Sequence, residues 1–305
     1  MGKPLQDDGA GTSSQGYGDP MIERLAWVTA REARGRDEDE PLALAALQRT
    51  GVEVEVLDWD DPEVDWSSFD RVVLRSAWDY PQRLPEFLCW LERVDAVSDL
   101  VNPPATVHWS LDKRYLAELA EAGVAITPTV FVEPGSVASF PAGDFVIKPA
   151  VGAGSRDAAS YGADQLETAS AHVARLHATG QTVLVQPFLT SMPTEGEWPM
   201  IFVDGRFSHA ASKRVALPQA GTVDDLFAAE TNTEHVASAA QLEVAQAAID
   251  LVSDRLGTPT YARVDLVRDD AGQFCVLELE LVEPSLFLPY ADPAAAERFV
   301  AALVR

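Results

Sequence analysis

Basic residues are scarce in this chain. Its 305 residues hold 23 Lys and Arg against 48 Asp and Glu, a formal charge of −25. Such a surface repels phosphate backbones and anionic lipid, so neither nucleic acid nor a membrane is expected as a partner. A bound polyanion needs a local cationic site set into the acidic surface. Cysteine is scarcer still: Cys89 and Cys275 are the only two, too few for a disulfide framework or a cysteine-based zinc site, and they suit a reducing cytoplasm. The five histidines, His108, His172, His177, His209 and His235, show neither triad nor metal spacing. No apolar run approaches the ~18 residues of a membrane span. The first 20 residues are rich in Gly, Ser, Gln and Asp and lack the basic start and apolar stretch of a signal peptide. They read as a disordered tail, with Met21 as an alternative initiator. What is present is a globular composition, 47% hydrophobic and 23% charged, with length for one large or several small domains and an ample core.

From Leu25 the pattern is α/β. Leu25–Val28 and Arg71–Arg75 read as buried strands, and Val52, Val54 and Val56 alternate as in a half-exposed one. Pro41–Thr50 and Leu84–Val94 read as helices. Strand, helix and strand in this order predict a small parallel sheet whose ligands favour the strands' carboxyl ends. Asn102-Pro103-Pro104 reads as a linker, and Ser110 as the cap of one helix reaching Ala122. Strands are expected near 129–132, 145–148 and 182–186, with a helix over 163–179. Asp204-Gly205 between two apolar runs predicts a type I′ hairpin. A long helix over 234–256, a second hairpin over 261–281 and a closing helix over 293–304 complete the reading.

Four motifs carry chemistry. In Phe145-Val146-Ile147-Lys148-Pro149-Ala150-Val151-Gly152-Ala153-Gly154-Ser155 a strand ends in a lysine before a loop of small residues. Glycines let backbone N–H groups approach phosphate oxygens, and the ammonium neutralises them; the plain alternative is a snorkelling lysine beside an ordinary loop. Asp265 lies within an apolar strand, and Glu278 and Glu280, two apart, share a strand face opposite Leu277, Leu279 and Leu281. Hard oxygen ligands of this kind suit Mg²⁺; a solvated acidic face is the alternative. Gln186-Pro187-Phe188-Leu189 ends a strand where backbone groups could pair with an adenine edge, or where a strand simply stops. Lys113, Lys213 and Arg214 supply cations that would each pass for surface charges in isolation. Arg31 and Arg75 stand near strand ends and could clamp a carboxylate, with Ser76, Trp78 and Ser285 shaping a pocket; surface or packing roles serve equally well for these five.

In this order the motifs resemble the ATP-grasp superfamily, which includes glutathione synthetase, D-alanine–D-alanine ligase and ribosomal-protein glutamate ligases. The resemblance spans roughly residues 24 to 303. More narrowly, Trp59-Asp60-Asp61-Pro62, Leu74–Tyr80 and Glu278–Ser285 are similar to actinobacterial proteins related to the D-cycloserine-forming cyclo-ligase group. The resemblance implies an α/β and α+β chain: a tail (1–20), a small parallel-sheet domain (21–104), and two subdomains gripping ATP (105–185 and 186–305). It implies that Lys113 and Lys148 hold the ATP phosphates and that 151–155, with Gly152, Gly154 and Ser155, form a lid. Gln186 and Phe188 would read adenine, and Glu195 or Glu197 the ribose. Lys213 or Arg214 would steady the transferred phosphoryl group, and Asp265, Glu278 and Glu280 would bind Mg²⁺. Two positions depart from the superfamily pattern: Glu280 stands where Asn is usual, and Gln186 where an acidic residue is common. The implied reaction is ADP-forming ligation of a small carboxylate to an amine-type nucleophile, in one molecule or two, by a homodimer or homotetramer. A small-molecule kinase and a non-catalytic nucleotide-binding protein are the alternatives.

Overall fold

The computed structural model describes residues 22–215 and 230–305; the expected tail lies outside them. The chain begins with β1 (Arg24–Thr29), α1 (Glu40–Gln48), β2 (Glu53–Asp58), β3 (Arg71–Ser76), α2 (Leu84–Asp95) and β4 (Asp99–Val101). The four strands form one parallel sheet in the order β2-β1-β3-β4. Both faces of a parallel sheet must be covered, so its central strands are continuous apolar runs. Ala26, Val28, Val72 and Leu74 pack with Phe87, Trp90 and Leu91 of α2. Leu25, Trp27 and Val73 pack on the opposite side with Leu47 of α1 and with Phe299 and Leu303 of the C-terminal helix. The end of the chain therefore returns to seal its beginning.

Next come α3 (Pro104–Leu111), α4 (Tyr115–Glu121), β5 (Val130–Val132), β6 (Phe145–Pro149), β7 (Ala159–Tyr161), α5 (Leu166–Ala178) and β8 (Val183–Pro187), the strands pairing antiparallel in the order β5-β8-β6-β7. The last part holds α6 (Met192–Glu195), β9 (Trp198–Val203), β10 (Arg206–Val215), β11 (Glu230–His235), α7 (Ala239–Leu256), β12 (Tyr261–Arg268), β13 (Phe274–Glu280) and α8 (Ala295–Leu303), with the sheet order β11-β10-β9-β12-β13. Asp204 and Gly205 both take positive φ, 49° and 67°, as a type I′ turn demands.

Three expectations need correction. The helix read as Ser110–Ala122 is two helices. Pro104 starts α3 early, since proline suits a first helical turn, and Asp112 accepts from the amide of Arg114 (3.0 Å) to start α4 anew. Ser110 is then buried at the end of α3, its Oγ accepting from Leu281 N (3.1 Å). Asn102 is a clamp and not part of a loose linker: buried at φ 57°, it donates to the carbonyls of Tyr261 and Leu281 and accepts from Thr260 N. The long helix begins at Ser238, where a capping box with Gln241 stops the register from extending back to Glu234; residues 230–235 form β11.

Candidate active site

A cavity of about 770 Å³ opens where the three sheets meet, within the ~300–1,000 Å³ usual for small-molecule sites. The break between α3 and α4 positions Lys113. Its amide donates to Ala150 O (2.9 Å), and its ammonium donates to Gly152 O (3.0 Å) and pairs with Glu278 (3.0 Å). Lys148, at the end of β6, faces the other oxygen of Glu278 at 3.8 Å. Thus β6 and β13 of two different sheets are bridged by charge.

Both lysines and Glu278 are largely buried, and burial disfavours all three charges. For Glu278 the two lysines overcome it and hold the pKa near 2. Burial likewise works against Lys113, but Glu278 outweighs it and raises its pKa. Lys148 has the weaker partner and the repulsion of Lys113, so burial lowers its pKa. Two buried ammonium groups thus flank one carboxylate on the cavity wall, an arrangement chemically suited to an anionic ligand.

Lys213 on β10 also lines the cavity, 3.6 Å from Glu197 and 4.0 Å from Glu230. Burial opposes its charge, and Glu197 more than restores it. Gly196 makes this pairing possible, because a Cβ there would collide with the Lys213 carbonyl. Gln186, Phe188, Gly152, Gly154 and Ser155 all line the cavity. Gly154 and Ser155 take positive φ, 64° and 61°, which turns the small-residue loop sharply over the opening. Gln186 is tied by its side chain to Thr129 (2.8 Å), leaving its role to backbone atoms.

The carboxylate trio is reorganised by a residue the sequence reading passed over. Arg263, also on the cavity wall, donates to both oxygens of Asp265 (2.8 and 2.9 Å) and to Glu280 (2.6 Å). Asp265 is 2% exposed and lies behind this fork, away from the lining. Among the described residues no three Asp, Glu, His or Cys side chains come together as a ready metal site. The donor chemistry nevertheless fits a hard cation that arrives with phosphate oxygens: Glu278 and Glu280 face the cavity with carboxylate oxygens only. Leu277 also departs from expectation. A register break opposite Asp265 and Leu266 leaves it packed near Leu189, not with Leu279 and Leu281.

Several other expected site residues lie elsewhere. Glu195 pairs with Arg268 (2.9 Å) outside the cavity. Arg214 follows Lys213 on a strand, so period 2 turns it to the exposed face. Arg31 is exposed and does not line the cavity. Ser76 is buried against Thr29 (2.7 Å). Arg75 is fully buried, among the rings of Trp27, Tyr261 and Phe299. Trp78 and Ser285 do line the cavity, with Tyr80 and Glu283 beside them among its wall residues. Neither Tyr80 nor Glu283 was singled out from the sequence, although both lie within the segments Leu74–Tyr80 and Glu278–Ser285.

Comparison with known proteins places this geometry. The family profile described as the N-terminal domain of D-cycloserine synthetase DcsG matches residues 25–102. The cycloserine biosynthesis protein DcsG of Streptomyces lavendulae is 42% identical over 292 residues, covering 92% of this chain and 97% of that protein. A crystal structure of D-cycloserine synthetase DcsG superposes with a TM-score of 0.85 at 41% identity, over 92% of this chain and 98% of that one. D-alanine–D-alanine ligase from Bacillus anthracis shares the fold at 16% identity, TM-score 0.65, over 92% and 96% of the two chains. The ATP-grasp ligase PsnB, solved with Mg and ADP, shares it at 20% identity, TM-score 0.61, over 92% and 99%.

Proposed function

Because the chain belongs to the D-cycloserine synthetase family of ATP-grasp ligases, we propose that it activates the carboxylate of a small amino-acid-like molecule with ATP and closes a ring within that molecule. The observation that carries this reading is the convergence of Lys113, from between α3 and α4, with Lys148 of β6 and Glu278 of β13 on one nucleotide-sized cavity.

The carboxylate attacks the γ-phosphorus, giving an acylphosphate and ADP, and an internal amine-type nucleophile then displaces phosphate. Such transfer depends chiefly on positioning and on neutralising charge. Lys113 and Lys148 would hold the phosphates nearer β6, with the 151–155 loop folding over them. Lys213 and Arg263 would face the transferred phosphoryl group. The backbone at Gln186 and Phe188 would meet adenine, and of the two glutamates Glu197, which lines the cavity, would take the ribose. Mg²⁺, held by Glu278 and Glu280 together with phosphate oxygens, would offset charge on the triphosphate. Closing the loop excludes water, which otherwise hydrolyses an acylphosphate. The chemistry needs no thiol, and Cys89 and Cys275 are free.

The division into 21–104, 105–185 and 186–305 belongs to this proposal, as does a cytoplasmic setting, where ATP is supplied. Among the described residues no helix is long and apolar enough to cross a membrane. The test is a screen of small amino acids and their derivatives for Mg²⁺-dependent formation of ADP. Free phosphate with a cyclised product supports the reading. A stable phosphorylated product assigns a kinase, and nucleotide binding without turnover over the whole panel assigns a binding protein.

A further inference from the structure

One buried acid on the wall of the cavity stands outside the ion pairs around it. Lys113 and Lys148 are committed to Glu278. Arg263 is committed to Asp265 and Glu280, and Lys213 to Glu197 and Glu230. Glu283 remains. It is 4% exposed and lines the cavity. Among the described residues no cation lies within ion-pairing distance of it, and no other residue's side chain hydrogen-bonds to its carboxyl.

Glu283 is also held still. Trp78 Nε1 donates to its carbonyl (3.2 Å), Arg75 donates to that of Pro284 (2.8 Å) and Arg263 to that of Ser285 (3.2 Å). The amides of Leu286 and Leu288 both donate to Asp39. A segment pinned at five points between Glu283 and Leu288 cannot swing its carboxyl out to water. Burying an unpaired acid is costly unless it keeps its proton or meets a cation. With no cation in contact it keeps its proton: burial, then repulsion from Glu280, push its pKa up to about 8 against the more distant pull of Lys113 and Arg263. Two aromatic residues, Trp78 and Tyr80, line the same wall, and ring faces also attract cations.

We propose that Glu283, with Trp78 and Tyr80, seats the amino group of the substrate as an ammonium, and so fixes which end of the molecule faces the phosphates. This rests on the reading of a ring-closing ligase for an amino-acid derivative and adds the group that selects the amine. Glu283 is a binding and orienting residue here; it takes no part in bond making. The arrangement leaves the substrate carboxylate for the side of the cavity where Lys213 and Arg263 face the transferred phosphoryl group.

The probes are D-cycloserine and isoxazolidin-3-one, the same ring without the amino group. Binding of each to the full chain in the presence of Mg²⁺ and ADP is measured by calorimetry in mildly acidic buffer, where the amine is protonated. The wild-type chain is expected to prefer D-cycloserine at least tenfold. Glu283→Gln is expected to bind isoxazolidin-3-one within about twofold of wild type and to lose the preference. Glu283→Asp, which keeps the charge on a shorter stem, retains part of it and serves if the amide variant fails to fold, with ADP affinity as the check of folding. A preference that survives in Glu283→Gln, or a wild-type chain that binds both rings equally, overturns the role of Glu283 and leaves the ring-closing reading standing. A wild-type chain that binds ADP but neither ring overturns the ring-closing reading, and this inference with it.

Discussion

Arg75 donates from Nη2 to the carbonyl oxygen of Pro284 across 2.8 Å, tying the end of β3 to the segment that carries Glu283 and Ser285. The same guanidinium lies 3.7 Å from Asp39, which accepts the amides of Leu286 and Leu288. A cation between a parallel sheet and a pocket wall thus acts on the wall through backbone groups.

Arg75→Met is therefore expected to destabilise the protein by about 3–5 kcal/mol, the range for removing one member of a buried ion pair. Asp39 and the neighbouring buried Asp37 lose their cation in this variant. Thermal unfolding checks it. An unchanged melting temperature with weakened substrate binding would restore the carboxylate-clamp role that the sequence suggests for Arg75.

Lys148→Met and Glu278→Gln separate activity from stability. Lys148→Met leaves Glu278 paired with Lys113, so the fold is kept while ADP formation falls by at least about a hundredfold, about 2.7 kcal/mol of lost transition-state stabilisation. Glu278→Gln removes the carboxylate between two buried ammonium groups and lowers both activity and melting temperature. Undiminished ADP release in both variants would sink the site assignment.

The pH dependence of stability follows from two glutamates of opposite behaviour. Glu283 has its folded pKa raised from 4.5 to about 8. Between those values the folded state holds a proton that the unfolded state has released, so this group's contribution falls as pH rises through the window. Glu278 has its folded pKa lowered to about 2, so its contribution is full above pH 4.5 and is lost as pH falls toward 2. Unfolding of the ligand-free protein between pH 5 and 8, compared with Glu283→Gln, reads the first effect: the variant is expected to lose less stability on going to pH 8.

Magnesium should bind with nucleotide and poorly without it. Glu278 is neutralised by two lysines and Glu280 by Arg263, so among the described residues of the cavity these two acids are not free for a divalent ion. Phosphates that draw the cations to themselves release both acids for the metal. Calorimetric titration of Mg²⁺ into the protein alone and with ADP checks this; equally tight binding in both would show a preformed metal site.

Much of this was legible in the sequence because it is written in local patterns. The strand-ending Lys148, the glycine loop and the hairpin at Asp204-Gly205 depend on neighbours in the chain, and alternation on β13 put Glu278 and Glu280 on one face. What the sequence did not convey is the set of partners each site residue meets in the fold. Arg75 looks like a strand-end clamp until Pro284 and the Trp27, Tyr261 and Phe299 rings arrive from elsewhere. Asp265 looks like a metal ligand until Arg263, two residues before it, turns back on it. That one was within reach: two positions apart on a strand means one shared face, and an arginine and an aspartate there should pair. Glu283 gives no local signal, since its lack of an ion pair among the described residues is a property of the assembled cavity.

The cavity draws its walls from separate sheets, and the work is unevenly shared. Lys148, Lys213 and Arg263 hang on the second and third sheets, whereas Trp78 and Tyr80 follow a strand of the first. Under the proposed function, substitutions in the opening hundred residues that alter the wall at Trp78 and Tyr80 leave Lys148, Lys213 and Arg263 on their own strands.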